Sequence, residues 1–402
     1  MSKTIVIIGA GFAGTMSALS AAKLRAECGS DDEIDILLVA PEPVLSIRPR
    51  LYEADPLQMS APLKALFDVT NVRFVSGFVR RIDTKRSTIT VDLPSGEQDT
   101  LLYDRLVLAA GSRVVSPPIS GLDEHAFSVD QRDEADELWQ HVHSLADRPR
   151  SAERDTVVVA GGGFTGIETA AEMPARLRSV LGEKADIRVI IVERASDIGP
   201  DLGPGPRPVI EEALRSLGIE LILGRSIVSV DAGGVTLDDG ARIASSTVVW
   251  TGGLRASPLT EQIDAPRDAL GRLVVDADLR VPGHPAIFAT GDAACAMTDG
   301  LGHQTLMCCQ HAMPLGRFSG HNAAADLLHR PALPYSQERY VTCLDLGPWG
   351  AVFCEGWDRK VTLSGSAAKP VKQQINSTFI YPPKADRETA LAAGRPGITA
   401  DV

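Results

Sequence analysis

At 402 residues the chain is too long for one ordinary hydrophobic core, so two or three domains are expected. Its 44% hydrophobic and 23% charged residues are globular values. A net charge of −12 and only 5% aromatic residues exclude a nucleic-acid binder, which needs a basic surface for phosphates and ring faces for bases.

The chain begins MSKTIVIIGAG, and its apolar run, Ile5 to Ile8, is too short for a signal-peptide core. No later stretch approaches the roughly 18 apolar residues of a membrane span, so a cytoplasmic protein is expected. Cys28, Cys295, Cys308, Cys309, Cys343 and Cys354 show no CxxC spacing, which points to reduced thiols, and no metal site is expected.

Residues 3–24, KTIVIIGAGFAGTMSALSAAKL, read as a buried strand, a G-x-G-x-x-G turn and a helix rich in small residues. The same phrase returns at 155–177, DTVVVAGGGFTGIETAAEMPARL. The glycines are Gly9, Gly11 and Gly14 in the first copy and Gly161, Gly163 and Gly166 in the second. The first of each set permits a tight turn, the second lets backbone approach a pyrophosphate, and the third lets helix pack on strand. The helix N-terminus then offers free N–H groups and a positive dipole to phosphates.

The strands that follow align as well, Ile34–Ala40 (IDILLVA) over Ile187–Glu193 (IRVIIVE), which sets Ala40 opposite Glu193. A carboxylate at that place accepts the hydroxyls of an adenosine ribose and repels a 2′-phosphate. Glu193 therefore favours NADH over NADPH, although the neighbouring Arg194 leaves NADPH open. Ala40 has no acceptor, and the expected substitute is Glu42 or a backbone group of the Pro41–Pro43 turn.

Three further segments, YDRLVLAAGS (103–112), STVVWTGG (246–253) and AIFATGDAA (286–294), complete an ordered set. Over about residues 1–325 that order resembles the two-dinucleotide-binding (pyridine nucleotide-disulfide oxidoreductase) flavoproteins. The resemblance implies an α/β fold: two Rossmann-like domains, an FAD domain with an inserted NAD(P)H domain, plus a small C-terminal α+β region. The implied limits are 1–120 and 255–330 for the two parts of the FAD domain, 121–254 for the insert, and 331–402 for a C-terminal region with a flexible tail. It further implies that Asp292 bonds the ribityl chain and that Gly291, Ala110, Gly111 and Gly252 bring backbone to the cofactors. IRPRLYEA (47–54) resembles the segment passing under the flavin, making Arg48 and Pro49 cofactor contacts, and Glu168 would stand beside the nicotinamide–flavin stack.

No dithiol can form on the first helix, which has only Cys28 near its end, so disulfide reduction is not expected. The run Gly302–Arg330 instead resembles the helix of type II NADH dehydrogenases and apoptosis-inducing-factor-like quinone reductases that begins near the flavin. There Gln310 and His311 fall on a glutamine pair, with Gly316 and Arg317 matching downstream. His311 is expected to donate to a quinone oxygen or to protonate a reduced acceptor. The implied activity is hydride transfer from NADH to FAD and then two electrons to a small-molecule acceptor, a quinone foremost. Alternatives are a reductase serving a biosynthetic substrate or a redox protein, and an NADH sensor. Beyond Arg330 the resemblance fades: two strand-like stretches, a short basic helix from Ala367 to Asn376 and an extended tail are expected. With so little apolar face, transient membrane contact is the most expected, and a homodimer is the candidate assembly.

Overall fold

The computed structural model describes residues 2–398. Its first sheet runs in the order Arg280–Val281, His284–Ala289, Arg105–Leu108, Lys3–Ile8, Ile34–Ala40, Arg73–Ser76. All neighbours are parallel except the Arg280–Val281 edge. Both faces are covered, which is why the strands are apolar at nearly every position. Ile5 and Ile7 join one core and Val6 and Ile8 the other, the alternation of a pleated strand.

The helix Phe12–Glu27 packs on the helix Cys309–Leu327, backbone against backbone. A Cβ at Gly316 would lie 2.2 Å from the Ala13 carbonyl oxygen, and one at Gly320 would lie 2.0 Å from that of Ser17. Only glycine fits at these two positions one turn apart.

The second sheet is all parallel, in the order Ala126–Ser128, Thr247–Trp250, Thr156–Ala160, Arg188–Glu193, Ile219–Leu223. Chain enters and leaves this unit as one antiparallel ribbon, Ser112–Val114 against Leu254–Ala256. The two units share a register: Ile8 pairs with Val39, and Ala160 with Val192. Gly9 and Gly161 then each donate 2.9 Å hydrogen bonds to the Val39 and Val192 carbonyls. Ala40 and Glu193, one residue on, hold equivalent places.

The C-terminal region is a three-stranded antiparallel sheet, Val341–Asp345, Ala351–Glu355 and Lys360–Gly365, followed by a helix, Lys369–Gln374, and a π-turn, Ile375–Phe379. Three strands form where two were expected, and the helix is shorter. The tail also departs from expectation. Its helix Arg387–Ala393 packs on the first glycine helix, where Gly394 meets the Leu19 backbone, and Arg387 donates to the Val69 carbonyl. Burial of Ala390 and Ile380 in the first unit's core explains why it does not trail free. Residues 399–402 lie outside the described residues.

Candidate active site

One cleft of about 2750 Å³ runs between the units and is lined by both glycine loops. That exceeds the roughly 300–1,000 Å³ of a single small-molecule site. The six fingerprint glycines divide by role. Added Cβ atoms would stand 2.3 Å from the Ala109 oxygen at Gly9, 1.9 Å from the Gly9 oxygen at Gly14, 2.8 Å from Thr251 Oγ1 at Gly161 and 1.9 Å from the Gly161 oxygen at Gly166. At Gly11 and Gly163 a Cβ would meet nothing within 4 Å. The protein itself needs the outer glycines; the middle ones leave room for something in the cleft. Both begin helices, so free N–H groups face that room. The residues fit two dinucleotide phosphates.

Glu193 is buried, its Oε2 accepting from the Gly162 N–H at 2.7 Å and its Oε1 from the Ala195 N–H at 2.8 Å. Two of a carboxylate's roughly four acceptor positions remain, and Glu193 lines the cleft. Glu42 also lines it but is exposed and pairs with Arg132 at 3.3 Å.

Gly291 and Asp292 follow the strand His284–Ala289, and Asp292 Oδ2 accepts from Ser112 Oγ, with Arg48 at 3.7 Å. Burial raises the Asp292 carboxyl above its ordinary value, opposed by Arg48. Arg48 pairs with Asp130, so a link between the two units orients it. Pro49, Gly111 and Gly252 line the cleft as well. Ala110 does not; it packs on the core behind. Thr290 Oγ1, buried just before Gly291, has no partner among the described residues.

Glu168 lines the cleft one turn into the second glycine helix. It is 3% exposed and accepts from the Asp345 N–H at 2.9 Å and from Lys372 Nζ at 2.8 Å. Burial pushes its carboxyl up to about 7 against the pull of Lys372. Lys372 is buried too, yet Glu168 holds it above its ordinary value. Asp345 continues the network, bonding Lys369 at 2.5 Å and Tyr52 OH at 3.2 Å. Lys369 and Lys372, the two lysines of the expected short basic helix, both turn inward to carboxylates. Lys372, Asp345 and Tyr52 were not identifiable from sequence, because they come from three separate regions and carry no spacing signal.

Gln310 lines the cleft, its amide against the Val341 backbone. His311 does not line it. It is fully buried, with Nδ1 3.2 Å from Gln337 Oε1 and the ring stacked 5.3 Å from Tyr340. Burial lowers it to about 4, so at pH 7 it is the neutral imidazole, whose single N–H is given to Gln337 Oε1 and not to the cleft. A one-residue step along a helix turns a side chain by about 100°, which separates His311 from Gln310. Cys308 and Cys309 line the cleft as thiols; burial raises both, Cys309 to about 11. Trp349, Phe353 and Trp357 do not reach it and pack elsewhere: Trp349 and Phe353 in cores, Trp357 between His303 and Tyr340.

Two Rossmann-type units whose open glycines share one cleft define the class of two-dinucleotide oxidoreductases. The profile of the pyridine nucleotide-disulphide oxidoreductase family matches residues 3–316, and the chain belongs to that family. It is 44% identical to an NADH dehydrogenase-like protein of Mycobacterium tuberculosis over 98% of this chain and 98% of the relative. It is 30% identical to a demethylphylloquinone reductase of Synechocystis over 90% and 89% of the two chains. The fold matches the structure of NDH2 from Plasmodium falciparum with NADH at a TM-score of 0.80 and 15% identity, covering 99% of this chain and 100% of that one. Among the described residues no helix is long and apolar enough to cross a membrane.

Proposed function

We propose that this chain is an FAD-dependent NADH dehydrogenase that passes two electrons to a quinone. The observation that carries the reading is the single cleft onto which Gly11 and Gly163 both open, with Glu168 and Lys372 between the units. The NADH dehydrogenase-like and quinone reductase relatives support the donor and the acceptor class.

The first unit would hold FAD through Gly9–Gly14, Arg48 and Asp292, and the second would hold NADH through Gly161–Gly166 and Glu193. Bound there, FAD supplies a two-electron carrier that accepts hydride from a nicotinamide and delivers to a second substrate. The chain's own contribution is positioning and proton control. Arg48, fixed by Asp130, places a cation beside Asp292. Glu168 and Lys372 hold a proton in a dry pocket, and a carboxyl near 7 can exchange it at working pH. Quinone reduction consumes protons as well as electrons, which gives this pair a task that hydride transfer alone does not. Gln310 lines the cleft on the acceptor side with its amide clamped to the Val341 backbone, and His311 braces that helix start from behind through Gln337, which bonds the Gln310 carbonyl at 3.2 Å.

Stopped-flow mixing tests the proposal. NADH should bleach the flavin and a quinone should restore it, and Glu168→Gln should spare the first step and slow the second. A protein reduced by NADH that no quinone reoxidises, while a ferredoxin or another acceptor does, would overturn the quinone assignment.

A further inference from the structure

The two units treat one position differently. Glu193 ends its strand with a carboxylate seated on the N–H groups of Gly162 and Ala195. By the shared register the counterparts are Ala40 and the N–H groups of Ala10 and Glu42. Among the described residues neither N–H has a hydrogen-bond acceptor. Ala40 is buried against the first unit's core and lines the cleft, so it gives a ribose nothing to bond. Glu42 is already engaged by Arg132.

The strand beside Ala40 leads to an unused aromatic ring: Ser76 pairs with Ala40 and the Gly77 N–H donates to the Ala40 carbonyl at 3.0 Å. Where the chain leaves the strand Arg73–Ser76, Gly77 passes so close to the next hairpin that a Cβ would stand 2.6 Å from the Asp92 oxygen. The following residue, Phe78, is 62% exposed yet lines the cleft together with Ala40, Pro41 and Glu42. A single exposed phenylalanine needs no explanation by itself. Beside a nucleotide position stripped of its acceptor, it has one: a ring face binds a base without any hydrogen bond.

We propose that Phe78 holds the adenosine half of the dinucleotide bound by the first unit, its ring face standing in for the missing ribose carboxylate. This rests on reading the first unit as the FAD site. The ribose oxygens then meet the free N–H groups of Ala10 and Glu42, and affinity comes from stacking on the base.

The test is titration of flavin-free protein with FAD and with FMN, which lacks the adenosine, followed by flavin fluorescence. Phe78→Ala should weaken FAD about 5- to 140-fold, which is ~1–3 kcal/mol of base–aromatic stacking at about 1.4 kcal/mol per tenfold, and leave FMN unchanged. Phe78→Tyr should retain FAD. Adding Ala40→Glu to Phe78→Ala should recover affinity, since two N–H groups are ready to seat the new carboxylate. Unchanged FAD affinity in Phe78→Ala, an equal loss for FMN, or no recovery with Ala40→Glu overturns the assignment. A native protein that takes up neither flavin overturns the flavin reading itself, and this assignment with it.

Discussion

Lys372 Nζ lies 2.8 Å from Glu168 Oε1 across 204 residues of chain, joining the C-terminal region to the second Rossmann unit. Both side chains are almost fully buried, so neither charge is compatible with the fold without the other. The pair therefore fixes the C-terminal region onto the cleft wall.

Removing one member leaves the other uncompensated. Lys372→Met should cost about 3–5 kcal/mol in denaturant unfolding, and Glu168→Leu with Lys372→Met should regain most of it. The double variant should still turn over slowly. Lys372→Met alone also removes the charge that draws Glu168 down, so the Glu168 carboxyl rises further. A pH profile of quinone-driven flavin reoxidation should show its midpoint move to higher pH.

The glycine sets separate folding from binding. Gly14→Ala puts a methyl 1.9 Å from the Gly9 oxygen and should destabilise by roughly 1–3 kcal/mol. Gly11→Ala meets no protein atom and should change stability by less than about 1 kcal/mol. It should nevertheless weaken flavin retention by roughly tenfold or more, about 1.4 kcal/mol. Thermal melts and flavin titration read the two effects independently.

Glu193 should set nicotinamide preference. Replacing it with Ala strips the acceptor from the Gly162 and Ala195 N–H groups as well as from the ribose. Native kcat/KM should favour NADH, and Glu193→Ala should lower it for NADH by about 5- to 140-fold, ~1–3 kcal/mol, with a smaller loss for NADPH. Native preference for NADPH would contradict this use of Glu193.

His311 gives an acid-side signature. Its folded value is near 4 against about 6.5 when unfolded, so the unfolded chain binds the extra proton between those limits. Stability from this residue is present above about pH 6.5 and is lost as pH falls toward 4, ~3 kcal/mol at full extent. Unfolding at pH 7, 5.5 and 4.5 should show that slope, and His311→Gln should flatten it.

Much of the fold was legible because it is written locally. Strand, glycine turn and helix follow one another within about 20 residues, and the repeat supplied its own register, Ala40 against Glu193. The ordered motifs identified the family for the same reason. The candidate site was only half legible. Gln310 and His311 are adjacent in sequence, but the helix sends one to the cleft and the other into an aromatic stack. The helix that carries Lys369 and Lys372 read only as short and basic, and the tail read as extended, because composition does not reveal an acceptor supplied from far along the chain.

By itself, then, the sequence determined the two units, their equivalent positions and the absence of a carboxylate at Ala40, all properties of short segments whose backbone geometry demands particular residues. Tertiary structure alone decided that Lys372 faces Glu168, that His311 is neutral behind the cleft, and that the N–H of Gly77, just before Phe78, bonds the Ala40 carbonyl. Those facts depend on burial and on partners brought together across long loops, and desolvation acts only once the chain has closed around them.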